Sequence, residues 1–199
     1  MLFDQGCESC GETGYPLCFG CGTKLRSSAV PPVTRLREVD IHAAVIYEGV
    51  ARDLVLALKQ RRSRSVATLL GELLTQRLDL EAMDVVTWAP TSRRHVRERG
   101  HDQARLIAAA VSRLCGSRLQ RTLQREGERA QTGRSRRDRL TGPTFLAAPF
   151  VEGRRILVID DVVTTGATLT AAHECLASRG AAYVACVAVA ATPEPMHIR

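Results

Sequence analysis

The chain has 199 residues and a mass of 21.7 kDa, which accommodates one medium domain with a small appendage and excludes two domains of average size. Its 45% hydrophobic and 25% charged content excludes a disordered or fibrous protein. The net charge of +7 is regional: residues 93–139 hold 14 arginines against 5 acids (+9), leaving 14 bases against 16 acids (−2) elsewhere.

Only Lys24 and Lys59 among the 28 bases are lysines. Such an arginine block favours a phosphate-rich partner, whether nucleotide, pyrophosphate or nucleic acid. The plain alternative is the arginine bias of a GC-rich genome on a solvated face. No apolar run approaches the ~20 residues of a membrane-spanning helix. The N-terminal MLFDQGCESC shows no basic start leading into an apolar stretch, so a cytoplasmic protein without a membrane span is expected.

Residues 1–28 are set apart by cysteine. Four of the seven cysteines form two Cys-x-x-Cys pairs, Cys7 with Cys10 and Cys18 with Cys21, each followed by glycine, Gly11 and Gly22. Each pair is a knuckle presenting two thiolates, and together they make the tetrahedral donor set of a structural zinc ion. A cytosolic setting argues against disulfides, and a segment this short needs a metal to supply its stability. A redox pair or a degenerate site is the alternative. Four thiolates would leave the ion no open position for chemistry.

Residues 29–199 read as the main domain. Residues 23–38, with Pro31 and Pro32, read as a linker. A strand is predicted over 41–47 and a helix over 49–60, with Val50, Leu54, Val55 and Leu58 on one stripe. A second helix follows over 65–80, then a short buried strand over 84–89 that Pro90 stops. The next helix, 102–114, turns Ala104, Ile107, Ala108, Val111 and Leu114 inward. Residues 115–143 are arginine-rich with weak periodicity; a strand over 155–159, a helix over 167–178 and a strand over 183–191 complete the chain. Cys115, Cys175 and Cys186 sit singly in apolar surroundings and read as small core residues. Strands alternating with helices predict an α/β fold with a parallel sheet and right-handed crossovers.

The chemistry concentrates in Ile156-Leu-Val-Ile-Asp160-Asp161-Val-Val-Thr164-Thr165-Gly166-Ala167-Thr168. An apolar strand runs into two adjacent acids, then a Thr-Thr-Gly turn, then a helix. Ligands of open α/β sheets bind beyond the carboxyl ends of the strands, where these acids fall. The turn offers free backbone N–H groups, threonine hydroxyls and a positive helix end, which suit a phosphate monoester. Carboxylates beside that phosphate suit vicinal sugar hydroxyls, and magnesium can relieve their repulsion. Strand termination with simple helix capping accounts for one acid and leaves the rest of the register unexplained.

The stretch DDVVTTGATL resembles the phosphoribosyl pyrophosphate (PRPP) motif of type I phosphoribosyltransferases. Together with the four-cysteine segment, the chain is similar to the ComF/GntX family, named for bacterial competence and DNA utilisation. Tyr47-Glu-Gly49 with Arg52, Leu58-Lys59, the block Arg97-Glu-Arg99-Gly100-His-Asp-Gln103-Ala104 and the segment from Gln131-Thr132-Gly133 to Phe145 resemble further family blocks. Thr87-Trp88-Ala89-Pro90 resembles an actinobacterial branch. His101-Asp102 stands where an aromatic and an asparagine are common, and no asparagine lies near Leu140.

The resemblance implies a type I phosphoribosyltransferase-like open sheet flanked by helices, with a small N-terminal zinc ribbon. Asp160 and Asp161 would hold the ribose hydroxyls, and Thr164, Thr165, Gly166, Ala167 and Thr168 the 5-phosphate. Thr91, Ser92 and Arg93 would meet the pyrophosphate, with Lys59, Arg97 and Arg99 as partners for its charge. Cys7, Cys10, Cys18 and Cys21 would hold zinc, and magnesium would accompany PRPP or a related ribose 5-phosphate. A variable hood, here residues 29–60 and the zinc segment, would recognise the acceptor.

Three functions are consistent with these residues: phosphoribosyl transfer to an acceptor; a competence accessory role with single-stranded DNA and a helicase partner; or a regulator that keeps the cradle without a base pocket. Residues 93–139 contain no Phe, Tyr or Trp, which counts against a stacking platform for single strands. Trp88 reads as a packing residue. Tyr47 stacks on a base or packs, and His101 contacts ligand or serves as a cap. His95 lies near the proposed pyrophosphate loop with nothing beside it to mark a catalytic pair.

Overall fold

The chain was analysed as a computed structural model, which describes residues 6–80, 83–126 and 142–193. Its strands are β1 (Thr34–Leu36), β2 (Val39–Ile46), β3 (Val85–Trp88), β4 (Arg118–Leu119), β5 (Leu123–Arg125), β6 (Phe145–Ala147), β7 (Arg155–Val163) and β8 (Tyr183–Ala191). Six of them form one sheet in the order β1-β2-β8-β7-β3-β4, with only β1 antiparallel to its neighbour; β5 and β6 form a separate antiparallel ribbon. The helices are α1 (Phe19–Arg26), α2 (Gly49–Gln60), α3 (Arg64–Arg77), α4 (Arg93–Arg99), α5 (Gln103–Cys115) and α6 (Ala167–Ser178). The architecture is the expected α/β sheet flanked by helices. No helix among the described residues is long and apolar enough to cross a membrane.

A parallel strand covered on both faces must be apolar on both, and β7 shows the consequence. Leu157 and Ile159 join the core beneath α2, α3 and α5, with Leu54, Leu58, Leu70, Leu74 and Ile107. Ile156 and Val158 join the core on the other face, with Ile41, Leu169 and Leu176 of α6 and with Leu123 and Phe145 of the ribbon. Thus α5 follows β3 on one face and α6 follows β7 on the other. The carboxyl ends of these neighbouring strands therefore flank a crevice.

Several boundaries differ from the sequence reading. Residues 23–38 are more than a linker: α1 continues to Arg26, and β1 pairs with β2 through a turn in which Arg37 and Glu38 hold φ of 50° and 63°. That turn lacks the Asn-Gly signal of such hairpins, so it was not legible. The strand expected to stop at Ile159 runs to Val163, because β8 extends far enough to pair Val162 with Ala190 and Val163 with Ala191. The weakly periodic stretch 115–143 contains β4 and β5, and α4 occupies residues to which the sequence reading assigned no element. Cys186 is buried and Cys175 half-buried, but Cys115 is exposed, as is Leu114 at 48%. The last turn of α5 extends past the core that its earlier turns cover. Gln131-Thr132-Gly133, the region of Leu140 and the arginines from 129 to 139 lie outside the described residues.

The cysteine segment is docked on the corner between α2 and α3. Leu25 of α1 enters the core with α2 and α3, and Arg77 donates to the carbonyl oxygens of Leu25, Arg26 and Ser28. Glu8 pairs with Arg61, Ser9 Oγ donates to Asp53 Oδ2 at 2.7 Å, and the hydroxyls of Tyr15 and Ser63 meet at 2.6 Å.

Helices α3 and α5 touch where a Cβ built on Gly71 would lie 2.8 Å from the Ala110 Cβ. Gly71→Ala is therefore expected to lower the melting temperature, although alanine favours an isolated helix by about 1 kcal/mol. Adding Ala110→Gly should recover most of the loss, measured by thermal unfolding. A G71A variant more stable than wild type would contradict this contact.

Candidate active site

Two adjoining cavities open at the crevice. The first, of about 150 Å³, is lined by Asp160 and by residues from Val162 to Leu169. β7 delivers both acids within its paired length, and the turn begins at Thr164. Gly166 sits at φ 79° as the N-cap of α6, and no side chain caps that helix. A Cβ on Gly166 would meet Ile41 Cδ1 at 2.8 Å, so the position excludes a side chain on both conformation and space. The Ala167 amide donates to Thr165 Oγ1 at 3.4 Å, and the Thr168 and Leu169 amides that follow, without partners inside the helix, are available to an anion.

The second cavity, of about 220 Å³, shares Asp160 and Thr168 with the first and adds Asp161, Lys59, Thr91 and Arg99. Lys59 Nζ lies 3.2 Å from Asp161 Oδ2, with both side chains largely buried. Asp160 Oδ1 accepts from the Asp161 amide at 2.8 Å, and Asp161 Oδ1 from the Val162 amide at 2.7 Å. Burial and the adjacent Asp161 charge push the Asp160 carboxyl well above the usual carboxylate range.

Six sequence-predicted residues thus converge on this cavity: Lys59, Thr91, Arg99, Asp160, Asp161 and Thr168. Of the six residues expected at the pyrophosphate, three do not line it. Ser92 is the N-cap of α4, its Oγ accepting from the His95 amide at 3.2 Å, and Arg93 and Arg97 are exposed on α4. The cavity also takes in His95, which the sequence placed near the pyrophosphate loop, and gains Arg125 from the ribbon, Asp102 and Gln103, to which no site role had been given. Gln103 is 2% exposed, and its Nε2 has no hydrogen-bond partner among the described residues. Asp102 caps α5 by accepting from the Arg105 amide and reaches across to accept from the Thr91 amide at 3.2 Å. Burial raises its pKa.

His101 is buried, with Nε2 2.6 Å from the Leu58 carbonyl oxygen and Nδ1 2.8 Å from that of Arg99. Both contacts are hydrogen bonds only when each ring nitrogen bears a proton; a singly protonated ring keeps one of them. Trp88 is buried beneath the Arg105 guanidinium, 5.8 Å from the ring centroid, and Tyr47 packs on the core, so both serve packing.

The sulfurs of Cys7, Cys10, Cys18 and Cys21 lie within 4.8 Å of one another, a donor set that fits a metal such as zinc. Cys18 is also the N-cap of α1, its sulfur accepting from the Cys21 amide. Burial and the three neighbouring thiols push Cys21 up to about 12. Against burial, backbone donors at Cys18, Cys10 and Ser9 bring Cys7 down to about 6. Four thiolates this close need a cation among them.

Two outcomes follow. Asp160 has its folded pKa raised above the unfolded value, so its ionised form destabilises the fold, by more as pH rises from about 4 toward the folded-state pKa. Asp160→Asn should raise the melting temperature at neutral pH, with the gap closing near pH 4. Metal analysis should find one zinc per chain, lost on Cys7→Ser or strong chelation. Either treatment should lower the melting temperature, by about 2–4 °C for each kcal/mol lost.

The model of the phosphoribosyl transferase domain family matches residues 104–196. The DNA utilization protein YhgH of Salmonella typhi is 30% identical over 192 residues, covering 89% of this chain and 80% of that protein. YhgH of Escherichia coli K12 is 28% identical over 190 residues with the same coverage. Among solved structures, adenine phosphoribosyltransferase from Thermoanaerobacter pseudethanolicus aligns with 85% of this chain and 83% of its own at 14% identity and a TM-score of 0.42. The chain belongs to the ComF-type family of the DNA utilization protein YhgH and carries a type I phosphoribosyltransferase domain.

Proposed function

We propose that the protein is a cytoplasmic phosphoribosyltransferase that binds PRPP with magnesium and transfers phosphoribose to an acceptor, releasing pyrophosphate. The observation that carries this reading is the junction of two cavities at Asp160: an open helix N-terminus on one side and a cation-bearing pocket on the other. Residues 164–168 hold the 5-phosphate through backbone amides and threonine hydroxyls. Asp160 and Asp161 accept hydrogen bonds from the ribose 2- and 3-hydroxyls, which places C1 toward the second cavity. Lys59, Thr91, Arg99 and Arg125 face the pyrophosphate there.

The paired carboxylates fit a hard divalent cation, and magnesium would supply neutralisation of the leaving pyrophosphate. In the reaction the C1–oxygen bond breaks, its electrons leaving on pyrophosphate, while the acceptor's lone pair forms the new bond to C1. The protein's part is to hold the two phosphate groups apart and stabilise charge as it moves onto the leaving group. Zinc on the four cysteines is structural, with residues 1–28 as its segment and 29–199 as the catalytic domain.

A DNA-handling role, with single-stranded DNA and a competence helicase as partners, is the second reading. It is supported by the name of the YhgH relatives and by a groove of about 570 Å³ between α3 and α5 that gathers Arg62, Arg64, Arg105 and Arg113.

Calorimetric titration of zinc-loaded protein with PRPP and magnesium should show binding that the D160N/D161N pair abolishes, followed by pyrophosphate release in a screen of bases. A folded sample that fails to bind PRPP sinks the enzyme reading. DNA binding, if present, should survive D160N/D161N and lose salt dependence when Arg64 and Arg113 are neutralised.

A further inference from the structure

We propose that His101 is a positioning residue that fixes the spacing of Lys59 and Arg99, a role that rests on reading their cavity as the pyrophosphate seat. The two carbonyl oxygens it meets are both at helix ends. Leu58 lies in the last turn of α2 and Arg99 is the last residue of α4, so neither carbonyl has a partner within its own helix. One buried ring reaches both, at 2.6 and 2.8 Å. Each carbonyl stands at a cation of the cavity: Leu58 immediately precedes Lys59, and the other belongs to Arg99 itself.

The chain between them is built for this contact. Gly100 takes φ 75° and closes α4, which turns His101 back toward α2. Asp102 then secures the opposite wall through the Thr91 amide. Four consecutive residues therefore supply a cation, a reversal, a spacer and an anchor. A flat ring whose two nitrogens lie on opposite edges sets the gap between two helix ends more tightly than a flexible side chain would.

A purely structural histidine would affect all ligands alike. The experiment titrates wild type, His101→Asn, the Lys59→Ala/Arg99→Ala pair and the triple variant with PRPP plus magnesium, with inorganic pyrophosphate and with ribose 5-phosphate. H101N is expected to weaken PRPP and pyrophosphate about tenfold, the loss of one buried hydrogen bond, and to leave ribose 5-phosphate unchanged. In the K59A/R99A background the effect of H101N should vanish, because the pair through which it acts is gone. Equal losses on PRPP and ribose 5-phosphate, an additive loss in the triple variant, or no loss at all would overturn the role. If H101N does not fold, His101→Gln is read by the same criteria. Wild-type protein that binds ribose 5-phosphate but neither PRPP nor pyrophosphate overturns the assignment of the cavity itself, before any variant is compared.

Discussion

Two adjacent carboxylates embedded in a paired, largely buried strand are the feature around which this molecule is arranged. Ionised, Asp160 and Asp161 repel each other at the carboxyl end of β7, and water is too scarce there to screen them. The fold holds them because β7 is pinned by β3 as far as Ile159 and by β8 past both acids to Val163. Partial compensation comes from two local amides and from Lys59, delivered by α2 from the far side of the crevice. A sugar and a divalent cation would complete it, which ties the electrostatic strain of the site to its proposed ligand.

The position of Lys59 then becomes the structural question, and two separate supports bear on it. His101 grips the carbonyl just before it and fastens α2 to α4. The cysteine segment clasps the residues just after it, through Glu8 on Arg61 and Tyr15 on Ser63. The four cysteines line neither cavity. A metal there would act on the site through the α2–α3 corner.

The family relationship and the site speak to different levels of function. Kinship with proteins named for DNA utilisation describes a cellular process, whereas the cradle at α6 and the cations around Asp161 describe a ligand. The arginines divide along the same line. Arg99 and Arg125 face the crevice, while Arg62, Arg64, Arg105 and Arg113 gather in a groove on the helical face. The regional excess of positive charge is thus at least two surfaces.

The sequence by itself determined the parts whose signals are local. The Cys-x-x-Cys spacing marked a sulfur cluster, the apolar stripe of Val50, Leu54, Val55 and Leu58 marked α2, and the run from Ile156 to Thr168 placed acids, turn and helix in order. Only the tertiary structure decided what depends on contacts between distant segments. The length of β7 was set by its partner β8, and the β1–β2 turn formed without its usual residues. Arg125 entered the cavity from a ribbon with no motif of its own, Gln103 from a block to which no role had been given, and Ser92 was withdrawn from it by capping α4. His101 stood open between ligand contact and a cap because its partner is a carbonyl 43 residues away. Local preference is written in neighbouring residues, but the convergence of a site is a property of how the sheet brings strand ends together.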